Sequence, residues 1–120
     1  MNEHEQKSKE LILARLILAN PNLSVIFMVN GDVVIDNSYA NWLASISSVK
    51  VGGYCCYKTR YYDDSNELEE DYYVDHKDEL KNLENNEIDR IIKERTSSWW
   101  KTAIIVYVDV PSNEDANDHE

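Results

Sequence analysis

The sequence predicts a single α+β domain with a mostly antiparallel sheet of four or five strands and two or three helices packed on one face. Three observations carry that expectation. The apolar spacing switches between helix-like and strand-like segments along the chain. An Asn-Gly pair, Asn30-Gly31, sits between two apolar β-branched runs. A near-continuous apolar run, AIIVYVDV at 103–110, has the character of a strand buried on both faces. At 120 residues, 42% of them hydrophobic, the chain is long enough for one real core.

The elements follow in order. Residues 4–19 read as a helix whose charges gather in the first turns and whose apolar residues Leu11, Ile12, Leu13, Leu16, Ile17 and Leu18 form a broad face. Asn20-Pro21 stops it, since the residue before a proline is disfavoured in the helical state. The run 24–29, SVIFMV, is expected to turn at Asn30-Gly31 and return through VVI at 33–35 as a hairpin. In 37–47, Tyr39, Trp42, Leu43 and Ile46 stand at i, i+3, i+4 and i+7, which predicts a short helix capped by Asn37 or Ser38. Residues 49–62 then read as strand with a break at Gly52-Gly53.

An acidic run follows, DDSNELEEDYY at 63–73, with six carboxylates in its first nine residues. The pattern predicts a hairpin loop over 63–71, with Tyr72, Tyr73 and Val74 pairing back on 54–62. Asp75 is expected to cap a helix from His76, with Asp78 in the third position. Leu80, Leu83, Ile88, Ile91 and Ile92 mark its buried side, with a break at Asn85-Asn86. Pro111 ends the last strand. The domain is therefore expected to span 1–111, and residues 112–120, SNEDANDHE, to form a disordered acidic tail.

Charge narrows function. The net charge is −11, and residues 63–94 carry thirteen acids against four bases, while residues 1–20 balance. Direct nucleic-acid binding is disfavoured, because it needs a basic stripe that displaces counterions from phosphates. A basic protein partner is favoured, with fast, salt-sensitive association. No apolar run is long enough to span a bilayer and the N-terminus lacks the form of a signal peptide, so a cytoplasmic chain without membrane contact is expected. Cys55 and Cys56 are adjacent, and strand neighbours point to opposite faces, so two reduced thiols are expected.

Catalytic and cofactor signals are weak. His76 stands alone at an expected helix start, and His4 and His119 lie near the termini. Gly31, Gly52 and Gly53 are the only glycines, too few for a phosphate-binding or dinucleotide loop. Zinc spacing is missing, because CC is not CxxC. A calcium loop starting at Asp63 would need glycine where Leu68 stands and glutamate where Val74 stands. No enzyme, metal or cofactor is expected.

What remains is a surface. Six of the eight tyrosines (Tyr54, Tyr57, Tyr61, Tyr62, Tyr72 and Tyr73) flank the acidic run. Tyrosine puts a large, rigid face and one hydroxyl into a contact, and carboxylates beside it can hold arginine by paired hydrogen bonds. About half of the rings are expected to pack the sheet and half to face a partner. The expected contact comprises Tyr61, Tyr62, Asp63, Asp64, Glu67, Glu69, Glu70, Asp71, Tyr72, Tyr73, Asp75, Asp78 and Glu79. In the helix capped by Asp75, the acids Asp75, Asp78 and Glu79 would share one face and imitate a nucleic-acid backbone. In size, acidic clustering and lack of catalytic motifs the chain resembles, in composition, small inhibitors that phages and mobile elements direct against host nucleases and restriction systems. The leading expectation is thus a non-enzymatic inhibitor of a basic nuclease or other nucleic-acid-handling protein. The alternatives are an immunity or antitoxin-like partner of a basic toxin, and a structural or assembly subunit that forms a homodimer through the tyrosine-rich strand 54–62.

Overall fold

The computed structural model describes residues 3–29 and 43–110. The turn at Asn30-Gly31, its return strand 33–35, the first six residues of the helix expected over 37–47, and the tail 112–120 lie outside them. The element order is α1 (Glu3–Ala19), β1 (Val25–Val29), β2 (Ser45–Tyr57), β3 (Arg60–Tyr62), α2 (Ser65–Asp75), α3 (Lys77–Leu80), α4 (Asn85–Thr96), a 3-10 turn (Ser97–Trp99) and β4 (Lys101–Asp109). The α+β class holds. The strand order is β1-β4-β2-β3.

The sheet is mixed, where a mostly antiparallel one was expected. β1 lies parallel to β4, from Val25 opposite Ile104 to Val29 opposite Val108. β2 and β3 form an antiparallel hairpin with Cys55 opposite Tyr62 and Tyr57 opposite Arg60. β4 fulfils the expectation from its apolar run, since Ala103, Ile104, Ile105 and Val106 are all fully buried. Residues 45–47 belong to a strand instead of the end of a helix. The β-branched Ile46 and Val49 favour the extended state once sheet partners are present, and this overrides the helical spacing at that end.

The expected break at Gly52-Gly53 does not interrupt β2, which runs through both glycines. A Cβ on Gly53 would stand 3.4 Å from Cε3 of Trp100, so the missing side chain lets the indole ring lie against the strand.

By backbone contacts the described chain falls into two compact units, one drawn from residues up to 51 and from 103 onward, the other being 52–102. In the first, α1 begins with Glu3 and Glu5 at its positive end. It closes where expected: the Asn20 amide donates to the Leu16 carbonyl at 3.0 Å. Its inward stripe is Gln6, Lys9, Leu13, Leu16 and Asn20, none fully buried. Gln6 Oε1 accepts the Ile46 amide at 3.1 Å.

The second unit holds two small cores. In one, Leu68 of α2 packs with Cys55 and Tyr62 under Tyr57, Trp99 and Trp100. In the other, Tyr72, Leu80, Ile88 and Ile92 join α2, α3 and α4, with Tyr57, Tyr73, Ile91 and Trp99 against them. Thr96 is buried and donates its hydroxyl to the Ile92 carbonyl at 2.9 Å. Cys55 is buried and Cys56 exposed, both as free thiols on opposite faces of β2. Burial and the neighbouring Cys56 push the Cys55 thiol up from its ordinary value.

Candidate functional site

The acidic run folds as a helix, and this overturns the expected hairpin loop at 63–71 and the expected strand at 72–74. Asp64 is the N-cap, its side chain accepting the Asn66 amide at 2.9 Å, and Glu67 stands at the third position as in a capping box. Leu68 and Tyr72, four residues apart, form the buried stripe of α2. Asp75 therefore ends a helix and caps none. His76 turns the chain before α3, so Asp75, Asp78 and Glu79 do not share one helical face.

The hairpin that faces α2 turns through two residues. Lys58 (φ 58°) and Thr59 (φ 109°) both have positive φ, as a two-residue turn matching the strand twist requires. This turn sets two cations beside the carboxylates of α2. Arg60 donates from Nη1 to Asp71 Oδ2 at 3.0 Å and from Nη2 to Glu67 Oε2 at 3.3 Å. Its guanidinium lies 4.6 Å from the centroid of the Tyr62 ring. The Tyr62 hydroxyl donates to the same Oδ2 of Asp71.

One turn further along α2 the arrangement recurs. Tyr57 donates to Asp75 Oδ2 at 2.7 Å, and Lys58 Nζ lies 2.9 Å from that oxygen. In each node a strand tyrosine and a hairpin cation converge on one oxygen of one helix aspartate. The hydrogen bond from Tyr57, reinforced by Lys58, holds the Asp75 carboxyl below its usual range. Burial, then the hydrogen bond to its aspartate, pushes the phenol of Tyr57 and that of Tyr62 upward. A shallow depression opens between the two nodes, bounded by Lys58, Thr59 and Arg60 on one side and Asp71, Val74 and Asp75 on the other.

The remaining expected contact residues divide. Tyr61 is 64% exposed on β3, whereas Tyr62 and Tyr72 are buried. Tyr73 is half-buried against the α3–α4 core. Tyr72 stacks on His76 at 3.9 Å and accepts from Arg95 Nη1 at 3.2 Å. Arg95 Nη2 also holds Glu79 Oε1 at 2.7 Å, which keeps that carboxyl below its usual range. Glu69 lies 3.7 Å from Lys93. Asp63 and Asp64 are exposed at the helix start. Glu70 and Asp78 are exposed and make no hydrogen bond or ion pair among the described residues. The expected contact did not include Tyr57, Lys58 and Arg60; the signal was the two bases at 58 and 60, which precede the acidic run by five and three residues.

Among the described residues no three histidine, cysteine or carboxylate side chains converge as metal ligands, and no helix is long and apolar enough to cross a membrane. The fold and this surface together define a small acidic α+β protein with a helix of carboxylates braced by a tyrosine hairpin. No protein-family model matches the chain, and neither does any curated protein or solved structure.

Proposed function

We propose that the protein is a non-enzymatic binding protein that engages a basic partner, of the kind that handles nucleic acid, through the outer face of α2 and the hairpin beside it. One observation carries this reading: the acidic surplus survives internal pairing. Asp64, Glu67, Glu69, Glu70, Asp71 and Asp75 are six carboxylates, and among the described residues the cations that touch them are three, Lys58, Arg60 and Lys93. The net field of the surface is therefore negative. The paired carboxylates are also fixed in place, which lowers the ordering cost of binding.

The outward stripe of α2 places Glu67, Glu70 and Val74 at i, i+3 and i+7. Val74 is 68% exposed and Tyr61 64%, so a partner meets apolar contact beside the charge. Carboxylates in this setting accept the forked donors of arginine, and the negative field steers a basic cleft toward them.

The experiment is a pull-down from cell lysate with the full chain at low and high salt. A basic, nucleic-acid-handling protein is expected at low salt and is lost at high salt. The variant Glu70→Lys should weaken retention while leaving the fold intact. If no such protein is retained at low salt, or if the variant retains it equally, the reading fails.

A further inference from the structure

The tip of the β2–β3 hairpin lays two of the chain's own cations on the acidic helix. Glu67, Asp71 and Asp75 stand at i, i+4 and i+8 of α2, a stripe with a step of about 6 Å. All three are occupied from within. Arg60 holds Glu67 Oε2 at 3.3 Å and Asp71 Oδ2 at 3.0 Å, and Lys58 holds Asp75 Oδ2 at 2.9 Å. The two bases are two positions apart in the chain. Alternate residues of an extended strand lie about 6.6 Å apart, close to the step of the helix.

Each node has a fixed half and an exchangeable half. Tyr62 is buried and Tyr57 half-buried, each packed into a core of the second unit, so neither hydroxyl leaves its aspartate without opening that core. The cations are held differently. The Lys58 side chain is 67% exposed and that of Arg60 57%. An ion pair at such exposure contributes little, because water replaces it at almost equal free energy. Either base can swing into solvent by side-chain rotation, with the hairpin backbone unmoved. The tyrosine then still aims its aspartate outward.

We propose that Lys58 and Arg60 are internal placeholders, and that a basic segment of the partner takes their positions on Glu67, Asp71 and Asp75. This rests on the acidic-face reading given above and adds which carboxylates the partner takes and what it must displace. The segment that fits is extended, with lysine or arginine at alternate positions, the spacing of Lys58 and Arg60. Val74, 68% exposed on the depression beside the tip, gives its intervening residue an apolar contact. The contact selects against isolated cations. A single incoming base exchanges one ion pair for its equal and gains nothing. A segment with two bases makes the same exchange and adds the contact with Val74, while the displaced side chains regain their freedom in water.

The test titrates a short peptide of alternating arginine and threonine into the full chain at low salt, read by calorimetry. Lys58→Gln and Arg60→Gln each remove one charge and one placeholder. Lys81→Gln is the charge-matched control, because Lys81 is exposed and pairs with no described residue. Each tip variant should bind the peptide about threefold more tightly than Lys81→Gln does, the size of one surface ion pair. Glu70→Lys should bind it more weakly than the unaltered chain. Tip variants that match Lys81→Gln, or bind more weakly than it, overturn the placeholder role, while a response to Glu70→Lys leaves the acidic-face reading standing. A peptide that binds no variant, or binds all of them and Glu70→Lys alike, overturns both.

Discussion

Thr59→Gly should stabilise the protein by about 1 kcal/mol. Thr59 has φ 109°, beyond the left-handed well and in a region that only glycine enters freely. Holding an L-residue at positive φ costs about 1–2 kcal/mol, and the β-branch of threonine adds crowding. Against this, glycine loses about 0.5–1 kcal/mol through the greater freedom of its unfolded chain. Thr59 is exposed, so its removal opens no cavity. The balance is a gain of about 1 kcal/mol, and with a urea m-value of about 2 kcal/mol/M the midpoint should rise by about 0.5 M at unchanged slope. Thr59→Ala is the control. It keeps the Cβ that conflicts with positive φ, so its effect should stay within about 0.5 kcal/mol. If Thr59→Gly leaves the midpoint unmoved or lowers it, the turn does not hold Thr59 at positive φ, and the placement of Lys58 and Arg60 against α2 loses its basis.

Three further outcomes are expected. Leu68→Ala should cost about 2–5 kcal/mol by denaturant unfolding, because Leu68 is fully buried between α2 and the hairpin; a loss below about 1 kcal/mol would mean α2 is not seated there. Tyr62→Phe should cost about 1 kcal/mol, since Asp71 loses one of two donors at the same oxygen while Arg60 keeps the other; an unchanged Tm would show that the hydroxyl is not engaged. The Tm should fall on both sides of neutrality. Asp75 and Glu79 titrate lower in the fold than their ordinary values of 3.8 and 4.5, so their contribution is complete above those values and is lost as pH falls through the lowered ones. Tyr57 and Tyr62 titrate above their ordinary 10.0, so their contribution is complete below pH 10 and is lost as pH rises beyond it. Tyrosine absorbance that shows all eight phenols titrating near pH 10 before unfolding would contradict the two nodes.

The elements with a strong local signal were legible in the sequence. α1 ends at the asparagine before Pro21, and β4 is a buried run of aliphatic residues, because burial on both faces leaves no alternation to read. α2 was not legible as a helix, although its signals were present. Asp64 followed by Glu67 is a capping pair, and Leu68 and Tyr72 are a helical pair. Six carboxylates outvoted two apolar residues in the local average, and Tyr72-Tyr73-Val74 has strand propensity. What decided the outcome is tertiary: the hairpin supplies a pocket for Leu68 and cations for Glu67, Asp71 and Asp75, contacts that no local window contains. The parallel pairing of β1 with β4 was hidden for the same reason, since its partners are about eighty residues apart in the chain. Of the expected contact, Tyr62 and Tyr72 went to packing because each ring sits on the buried side of its element, and Tyr61 went to solvent by strand alternation.

The internal pairing also decides which acids can report on function. Asp71, Asp75 and Glu79 each hold a cation and a tyrosine, or a cation shared with one, so reversing any of them breaks a node of the fold. Asp71→Lys would set a lysine beside Arg60 and leave the Tyr62 hydroxyl without its acceptor, and a loss of binding in that variant would say nothing about the surface. Glu70 differs: it faces outward and pairs with no described residue, so Glu70→Lys changes the outer field by two charges at almost no cost to stability. A basic partner held by the acidic face must therefore respond to Glu70→Lys at unchanged Tm, and the response must shrink as salt rises.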